Sequence, residues 1–330
     1  MNVTDKTFAN MLRDNGYVTG IFGKHQAPYS VDTMQNWGWD YHCIMELTEY
    51  PMPMSRYKNP NIMENGIIHD GNTELKNKYS DDVFTSKIFD FISSDTSGKP
   101  FFVYYPMAIG HSPYSPTPDD PEFATWVPGK SNTAFFPSMI YYMDKKVGEI
   151  LDWLQQHGLD SNTIVLYTGD NGIPADIYYN ADGKTHIQGK KAWPLEGGVR
   201  VPLIAYWPGH VAAGGVNNDV IDFTDFFTTL AQAAEATDLS SYGILDGVSF
   251  FDAMLGKPHT PRQQLFFHYN QQPAFNTTRR WVQDQVYKYY DTKDPLKPGK
   301  FYNISTDADE KLPIANTKLT TAQKALKQKF

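Results

Sequence analysis

Continuous apolar runs alternate with stretches of helical spacing over the first 256 residues of this chain. The runs VTGIF (Val18–Phe22), FFVYY (Phe101–Tyr105), TIVLYT (Thr163–Thr168) and VPLIAYW (Val201–Trp207) are typical of strands buried on both faces. Between them, apolar residues recur every three or four positions, which predicts helices, one of them capped by Ser80. This alternation predicts an α/β fold with a mostly parallel sheet sandwiched by helices.

Two regions depart from this pattern. Residues 25–79 are rich in Pro, Tyr, Met and Asn, and we expect an irregular segment of the kind that builds substrate pockets. After Gly256, apolar and polar residues alternate in QLFFHY, RRWVQDQVYKYY and FYNI, which predicts a small antiparallel sheet, and the chain ends in a predicted helix. We therefore expect an α/β core over residues 1–256 and a C-terminal α+β subdomain over residues 257–330.

Composition narrows the function classes. The net charge of −8 argues against a nucleic-acid partner, although a local cluster of cations can still bind an anion. A single cysteine, Cys43, excludes an intramolecular disulfide and is expected to be a buried apolar residue. No segment has the roughly 20 apolar residues of a membrane span. The first residues carry neither the basic nor the apolar region of a signal peptide, and localisation is left open.

Polar side chains follow three of the predicted strands. Lys24 follows the first, His111 lies in the loop after the second, and Asp170 and Asn171 follow the third. Ligand sites of parallel sheets lie at the carboxyl ends of the strands. The adjacent oxygen atoms of Asp170 and Asn171 suit a hard cation such as Ca²⁺. A lysine such as Lys191 can neutralise an ester oxyanion, and a histidine can protonate a leaving group. Each residue alone also fits a turn or a solvated surface.

Five segments occur in one order over residues 7–209: TFANMLRDNGYVTGIFGKH, YSDDVFTSKIFDFI, KPFFVYYPMAIGHSPYSP, YYMDKKVGEILDWLQQHGLDSNTIVLYTGDNG and GKKAWPLEGGVRVPLIAYWPG. DFTDFFTTLAQAA, LDGVSFFDAMLG and the C-terminal hairpins extend the set over nearly the whole chain. As a set they resemble the sulfatases of the alkaline-phosphatase-like superfamily. The resemblance implies an alkaline-phosphatase-like fold and hydrolysis of a sulfuric ester, with a sulfated carbohydrate as the expected partner and Ca²⁺ as the usual metal.

The resemblance also assigns roles to individual residues. It implies that Lys24, His111 and Lys191 act in catalysis, that Lys24, His25, His111 and Lys191 bind substrate, and that Asp170 and Asn171 bind the metal. Lys191 stands five residues before Glu196, as the sulfate-binding lysine of the family does. The family has a histidine two residues after the first lysine, whereas here His25 follows Lys24 directly and Gln26 holds the family position.

Two parts of the family pattern do not occur in this sequence: a strand ending in paired aspartates, and a C/S-x-P-x-R segment whose Cys or Ser becomes the formylglycine nucleophile. Cys43 lacks the proline and arginine that would follow it. We therefore expect an N-terminally truncated core that supplies metal and sulfate ligands but is inactive alone. Such a chain is either a fragment of a full sulfatase or half of a split enzyme. The alternatives are a sulfated-glycan-binding pseudoenzyme and a phosphodiesterase or phosphonate hydrolase of the same superfamily. A complementing N-terminal chain and a homo-oligomer are the macromolecular partners left open.

Overall fold

The computed structural model describes residues 2, 4–25, 30–45, 56–180, 186–270 and 278–330. The helices within these ranges are α1 (Phe8–Asp14), α2 (Val31–Asn36), α3 (Ser80–Ser94), α4 (Phe136–Gln156), α5 (Glu196–Val199), α6 (Asp225–Ala233), α7 (Phe251–Met254) and α8 (Thr321–Lys329). The strands are β1 (Val18–Gly23), β2 (Tyr41–Met45), β3 (Ile62–Glu64), β4 (Ile67–His69), β5 (Phe101–Tyr104), β6 (Val165–Thr168), β7 (Tyr178–Asn180), β8 (His186–Gln188), β9 (Leu203–Tyr206), β10 (Leu265–Tyr269), β11 (Arg279–Gln283), β12 (Tyr287–Tyr290) and β13 (Phe301–Asn303).

The chain forms two compact units. Unit 1 comprises Met1–Asn162 and Phe227–Leu245, and unit 2 comprises Thr163–Phe226 and Asp246–Phe330. The predicted domain boundary at residue 256 stays a prediction. None of the helices in the described ranges is long and apolar enough to cross a membrane.

Unit 1 is built on a five-stranded sheet with the order β4-β3-β2-β1-β5. The three strands β2, β1 and β5 are parallel, whereas β3 and β4 are added antiparallel at one edge. Ile21 of β1 packs with Met34 and Trp37 of the α2 region on one face of the sheet. Phe22, the next residue, contacts Phe91 of α3 on the other face. The predicted sheet with helices on both faces is confirmed, because successive strand residues point to opposite faces.

The expectation that residues 25–79 are irregular is wrong, since α2, β2, β3 and β4 all lie there. The sequence did contain a signal for one hairpin: Asn65-Gly66 separates Ile62-Met63 from Ile67-Ile68 and forms the turn between β3 and β4. Ser80 does not cap α3. It is the first residue of the helix, and its hydroxyl donates to the Asp81 carboxylate at 2.9 Å.

Unit 2 contains the antiparallel sheet β10-β11-β12-β13, which confirms the alternating pattern after Gly256. Buried Trp281, Tyr290 and Tyr302 form its core. Strands β6 and β9 pair antiparallel and are half-buried, with Ile204 58% exposed. Strand β5 is also half-buried, so the expectation of a strand buried on both faces is wrong for these three runs and is met by β1. An unbroken apolar run indicates a strand but does not encode its direction or its number of neighbours.

Candidate functional site

In unit 1, the segments that follow β1 and β5 meet directly. The amide of Lys24 donates to the carbonyl of Pro106 at 2.7 Å. Gly23 makes this approach possible, because its φ is +100° and a Cβ there would lie 2.5 Å from the same carbonyl oxygen. Lys24 therefore leaves the sheet beside the loop that leads to His111, as the parallel pairing of β1 and β5 predicts.

Nδ1 of His111 lies near both a hydrogen-bond donor and an acceptor. It lies 3.0 Å from Arg56 Nη1 and 2.7 Å from the carbonyl oxygen of Ser112. A guanidinium only donates and a carbonyl only accepts, so Nδ1 satisfies one of them at a time. When Nδ1 accepts from Arg56, the proton of the neutral ring is on Nε2.

Tyr57 fixes the backbone of this loop. Its buried hydroxyl lies 2.8 Å from the carbonyl oxygen of Ala108 and 2.5 Å from that of His111, and its single proton is shared between these two acceptors. Its ring stacks on Tyr79, with centroids 5.7 Å apart. The segment Arg56-Tyr57 thus holds both the main chain and the side chain of His111.

His25 and His42 are a second pair of imidazoles in unit 1. The ring of His25 is half-buried, with its centroid 5.9 Å from that of Trp37, and burial lowers its pKa. His42, on β2, is 2% exposed, and burial together with the nearby His25 lowers its pKa to about 4. Burial thus disfavours the protonated form of both rings, which is unlike a cationic anion pocket.

In unit 2, Asp170 and Asn171 follow β6 directly. Asp170 is exposed, and the side-chain amide of Asn171 donates to its carboxylate. The next amide, of Gly172, donates to the carbonyl of Gly198 at 2.9 Å. A Cβ on Gly172 would lie 1.9 Å from the carbonyl oxygen of Gly197, so no larger residue fits there.

The loop carrying Lys190 and Lys191 is hydrogen-bonded to the segment that follows β6. The amide of Lys191 donates to the carbonyl of Ile173 at 3.0 Å, and the amide of Lys190 donates to that of Gly197 at 3.3 Å. The Lys190 ammonium donates to the side chain of Gln188 at 2.9 Å. Within the described residues, the Lys191 ammonium makes no hydrogen bond or ion pair, so Lys191 is the lysine available to a ligand.

Side chains of the C-terminal sheet hydrogen-bond to this loop. The ammonium of Lys288, on β12, donates to the carbonyl of Pro194 and lies 2.7 Å from Glu310, both side chains being fully buried. The amide of Gln283, on β11, donates to Glu196 at 3.1 Å. Burial lowers the pKa of Lys288, whereas the charge of Glu310 acts in the opposite direction. The sheet thereby anchors both ends of the turn that follows Lys191.

Asp170 and Asn171 do not by themselves fit a calcium ion. Ca²⁺ takes six to eight oxygen ligands, and these two side chains hydrogen-bond to each other. Across the described ranges, no group of three or more His, Cys, Asp or Glu side chains could hold a metal ion.

The structure thus gathers the sequence-predicted residues into two local groups. Lys24, His25 and His111 lie in unit 1, and Asp170, Asn171 and Lys191 lie in unit 2. Sequence reasoning missed Arg56 and Lys288, because a lone arginine in an irregular segment and a lysine in an alternating strand both look like surface residues. The acidic partner Glu310 is 22 residues from Lys288, so no local signal connects them.

Comparison with known proteins identifies two family models. The model described as sulfatase matches residues 2–236, and the model described as N-sulphoglucosamine sulphohydrolase, C-terminal, matches residues 186–330. Among curated proteins, the chain is 28% identical to arylsulfatase G of Mus musculus over 309 residues, covering 80% of this chain and 56% of that protein. It is 31% identical to N-acetylgalactosamine-6-sulfatase of Canis lupus familiaris over 189 residues, covering 56% and 34%. The chain therefore spans about a third to about half of the length of these relatives.

Among solved structures, the chain is similar to a protein crystallised with its substrate, D-glucosamine-2-N,6-O-disulfate. The TM-score is 0.73 at 18% identity, and the match covers 99% of this chain and 81% of the other. At this identity the similarity establishes the alkaline-phosphatase-like fold.

Proposed function

This chain belongs to the sulfatase family, and from that premise we propose that it contributes the sulfate-binding part of a hydrolase that cleaves sulfuric esters of carbohydrates. The observation that carries the proposal is the junction in unit 2. Backbone hydrogen bonds from Gly172 and Lys191 join the end of β6 to the lysine loop, so an acidic and a cationic group lie on one rigid support.

Lys191 is proposed to bind the sulfate group. Its ammonium is a compact charge, and its backbone is fixed by the bond to Ile173 and by the turn that follows. Because the loop is already ordered, little conformational entropy is lost when the anion binds. Lys24, which is fixed by the bond of its amide to Pro106, is proposed as a second sulfate ligand.

His111 is proposed to deliver a proton to the leaving alcohol. Arg56 favours the tautomer in which Nδ1 accepts and Nε2 carries the proton, whereas the carbonyl of Ser112 favours a proton on Nδ1. The tautomer favoured by Arg56 is the neutral form able to donate from Nε2. His25 is not assigned a charge-based role, because burial lowers its pKa and so disfavours the protonated ring.

We assign no step of the hydrolysis to a metal ion or to a nucleophile. The oxygen atoms of Asp170 and Asn171 are too few for Ca²⁺, so their role as ligands requires oxygen donors from elsewhere. The 330 residues contain no C/S-x-P-x-R segment, so under this proposal the nucleophile comes from sequence outside them.

The proposal is tested by calorimetric titration of the purified chain with sodium sulfate. We expect Lys191→Ala to weaken sulfate binding by about ten-fold or more, the loss of one charged contact. Lys190→Ala is the matched control, because the Lys190 ammonium is engaged by Gln188, and it is expected to change affinity by less than about three-fold.

Equal effects of the two substitutions, or no binding by the unsubstituted chain at millimolar sulfate, would contradict the proposal. A parallel titration with inorganic phosphate addresses the phosphodiesterase alternative. Phosphate binding that is tighter than sulfate binding and equally dependent on Lys191 would favour that alternative over a sulfatase.

A further inference from the structure

An exposed tryptophan lies two residues beyond the proposed sulfate ligand. Trp193 is 55% exposed, although an indole is among the side chains with most to gain from burial. Within the described part of the chain, its ring makes no aromatic contact and its N–H makes no hydrogen bond. A large aromatic surface is therefore presented to solvent beside Lys191.

The backbone beneath this ring is unusually well fixed. The amide of Trp193 donates to the carbonyl of Lys190 at 2.9 Å, closing a turn in which Ala192 has a φ of +69°. That conformation is uncommon for a residue with a side chain, so the surrounding contacts impose it. On the other side, buried Pro194 is held by the ammonium of Lys288.

Gly198 adds a third constraint. A Cβ at this position would lie 2.2 Å from the carbonyl oxygen of Trp193, so the two backbones are in direct contact. A rigid backbone that carries an exposed indole is a preorganised contact surface, because the ring need not be ordered when a ligand binds.

We propose that Trp193 is a saccharide-binding platform that selects sulfate esters carried on a sugar ring over free sulfate. This inference rests on the proposed function, because it takes Lys191 as the sulfate ligand. Lys191 and Trp193 are two positions apart in sequence, so their Cα atoms lie within about 7 Å of each other. One sulfated sugar spans this distance. The apolar face of the sugar packs on the indole while its sulfate reaches the Lys191 ammonium.

The test compares two ligands by calorimetry: D-glucosamine-2-N,6-O-disulfate and sodium sulfate. We expect Trp193→Ala to weaken binding of the disulfated sugar by about ten-fold and to leave sulfate affinity within about two-fold. Trp193→Phe, which retains an aromatic face, is expected to recover most of the sugar affinity. Tyr141→Ala, which removes another exposed aromatic residue, is the control and is expected to change neither affinity.

Two results would overturn the inference while leaving the proposed function standing. One is sulfate binding that depends on Lys191 together with sugar binding that is unchanged in Trp193→Ala. The other is self-association of the chain, measured by sedimentation, that is lost in Trp193→Ala, because the ring would then serve a protein contact. If the unsubstituted chain binds neither ligand, both the proposed function and this inference fail.

Discussion

At the scale of single residues, the carboxyl of Asp81, at the start of α3, is buried without a salt bridge among the described residues. It is fully buried and accepts hydrogen bonds from the hydroxyls of Ser80 and Tyr105, at 2.9 and 3.0 Å. Burial raises its pKa to about 6, against the opposing effect of these hydrogen bonds. The adjacent Asp82 also raises this pKa, whereas Lys146 lowers it.

This pKa predicts a specific pH dependence of stability. Because the folded-state value lies above that of the unfolded chain, the native state binds more protons between about pH 4 and pH 6. The stabilising contribution is present below pH 4 and is lost as pH rises through 6. The difference in unfolding free energy is on the order of 3 kcal/mol.

Asp81→Asn tests this account, since the amide keeps the oxygen that accepts from Tyr105 and cannot ionise. We expect the variant to be at least as stable as the original chain at pH 7. Its free energy of unfolding is expected to fall less between pH 4 and pH 6 than that of the original chain. Urea unfolding at several pH values measures this. Asp119→Asn is the control, because Asp119 is exposed and pairs with Lys145. A decline that is identical in the original chain and Asp81→Asn would show that this carboxyl does not titrate as described.

At the scale of elements, the junction between the end of β6 and the lysine loop depends on close backbone contact. Gly172 and Gly197 touch there, and no Cβ fits on Gly172. Three residues earlier, a Cβ on Gly169 would lie 3.5 Å from Val201, an ordinary van der Waals distance. The two glycines therefore differ in the space around them, although they flank the same two residues.

We expect Gly172→Ala to separate the loops and to reduce sulfate affinity by about ten-fold or more, because Lys191 loses its fixed position. Gly169→Ala is expected to retain both fold and affinity. Sulfate titration measures the first effect, and circular dichroism verifies that both variants fold. Unchanged sulfate binding by a folded Gly172→Ala variant would show that the junction does not position Lys191.

At the scale of the whole molecule, membership of the sulfatase family and the lack of a nucleophile segment in this sequence lead to opposite expectations about hydrolytic activity. The chain has the fold of sulfatases and nothing equivalent to C/S-x-P-x-R. We expect the purified chain to hydrolyse no aryl sulfate, with or without added Ca²⁺, as measured by release of 4-nitrocatechol from its sulfate. Turnover that scales with protein and is abolished in Lys191→Ala would contradict this. Turnover that persists in that variant would indicate a contaminant.

The sequence by itself determined the elements and the family. Apolar runs and helical spacing located β1, β5, β6, α3 and α4, the alternation after Gly256 gave the antiparallel sheet, and the order of five motifs indicated a sulfatase. These features are local, or depend only on order along the chain, so no spatial information is needed to recognise them. The burial of Cys43 was likewise predictable from its apolar neighbours.

Only the tertiary structure decided which residues support the candidate site. The contacts of Arg56 with His111 and of Lys288 with Pro194 join positions 55 and 94 residues apart. No periodicity or motif encodes such pairs, because they arise when strands and loops from distant parts of the chain pack together. The structure also decided that Lys190 is engaged whereas Lys191 is available, since adjacent lysines are equivalent in sequence and differ only in what surrounds them.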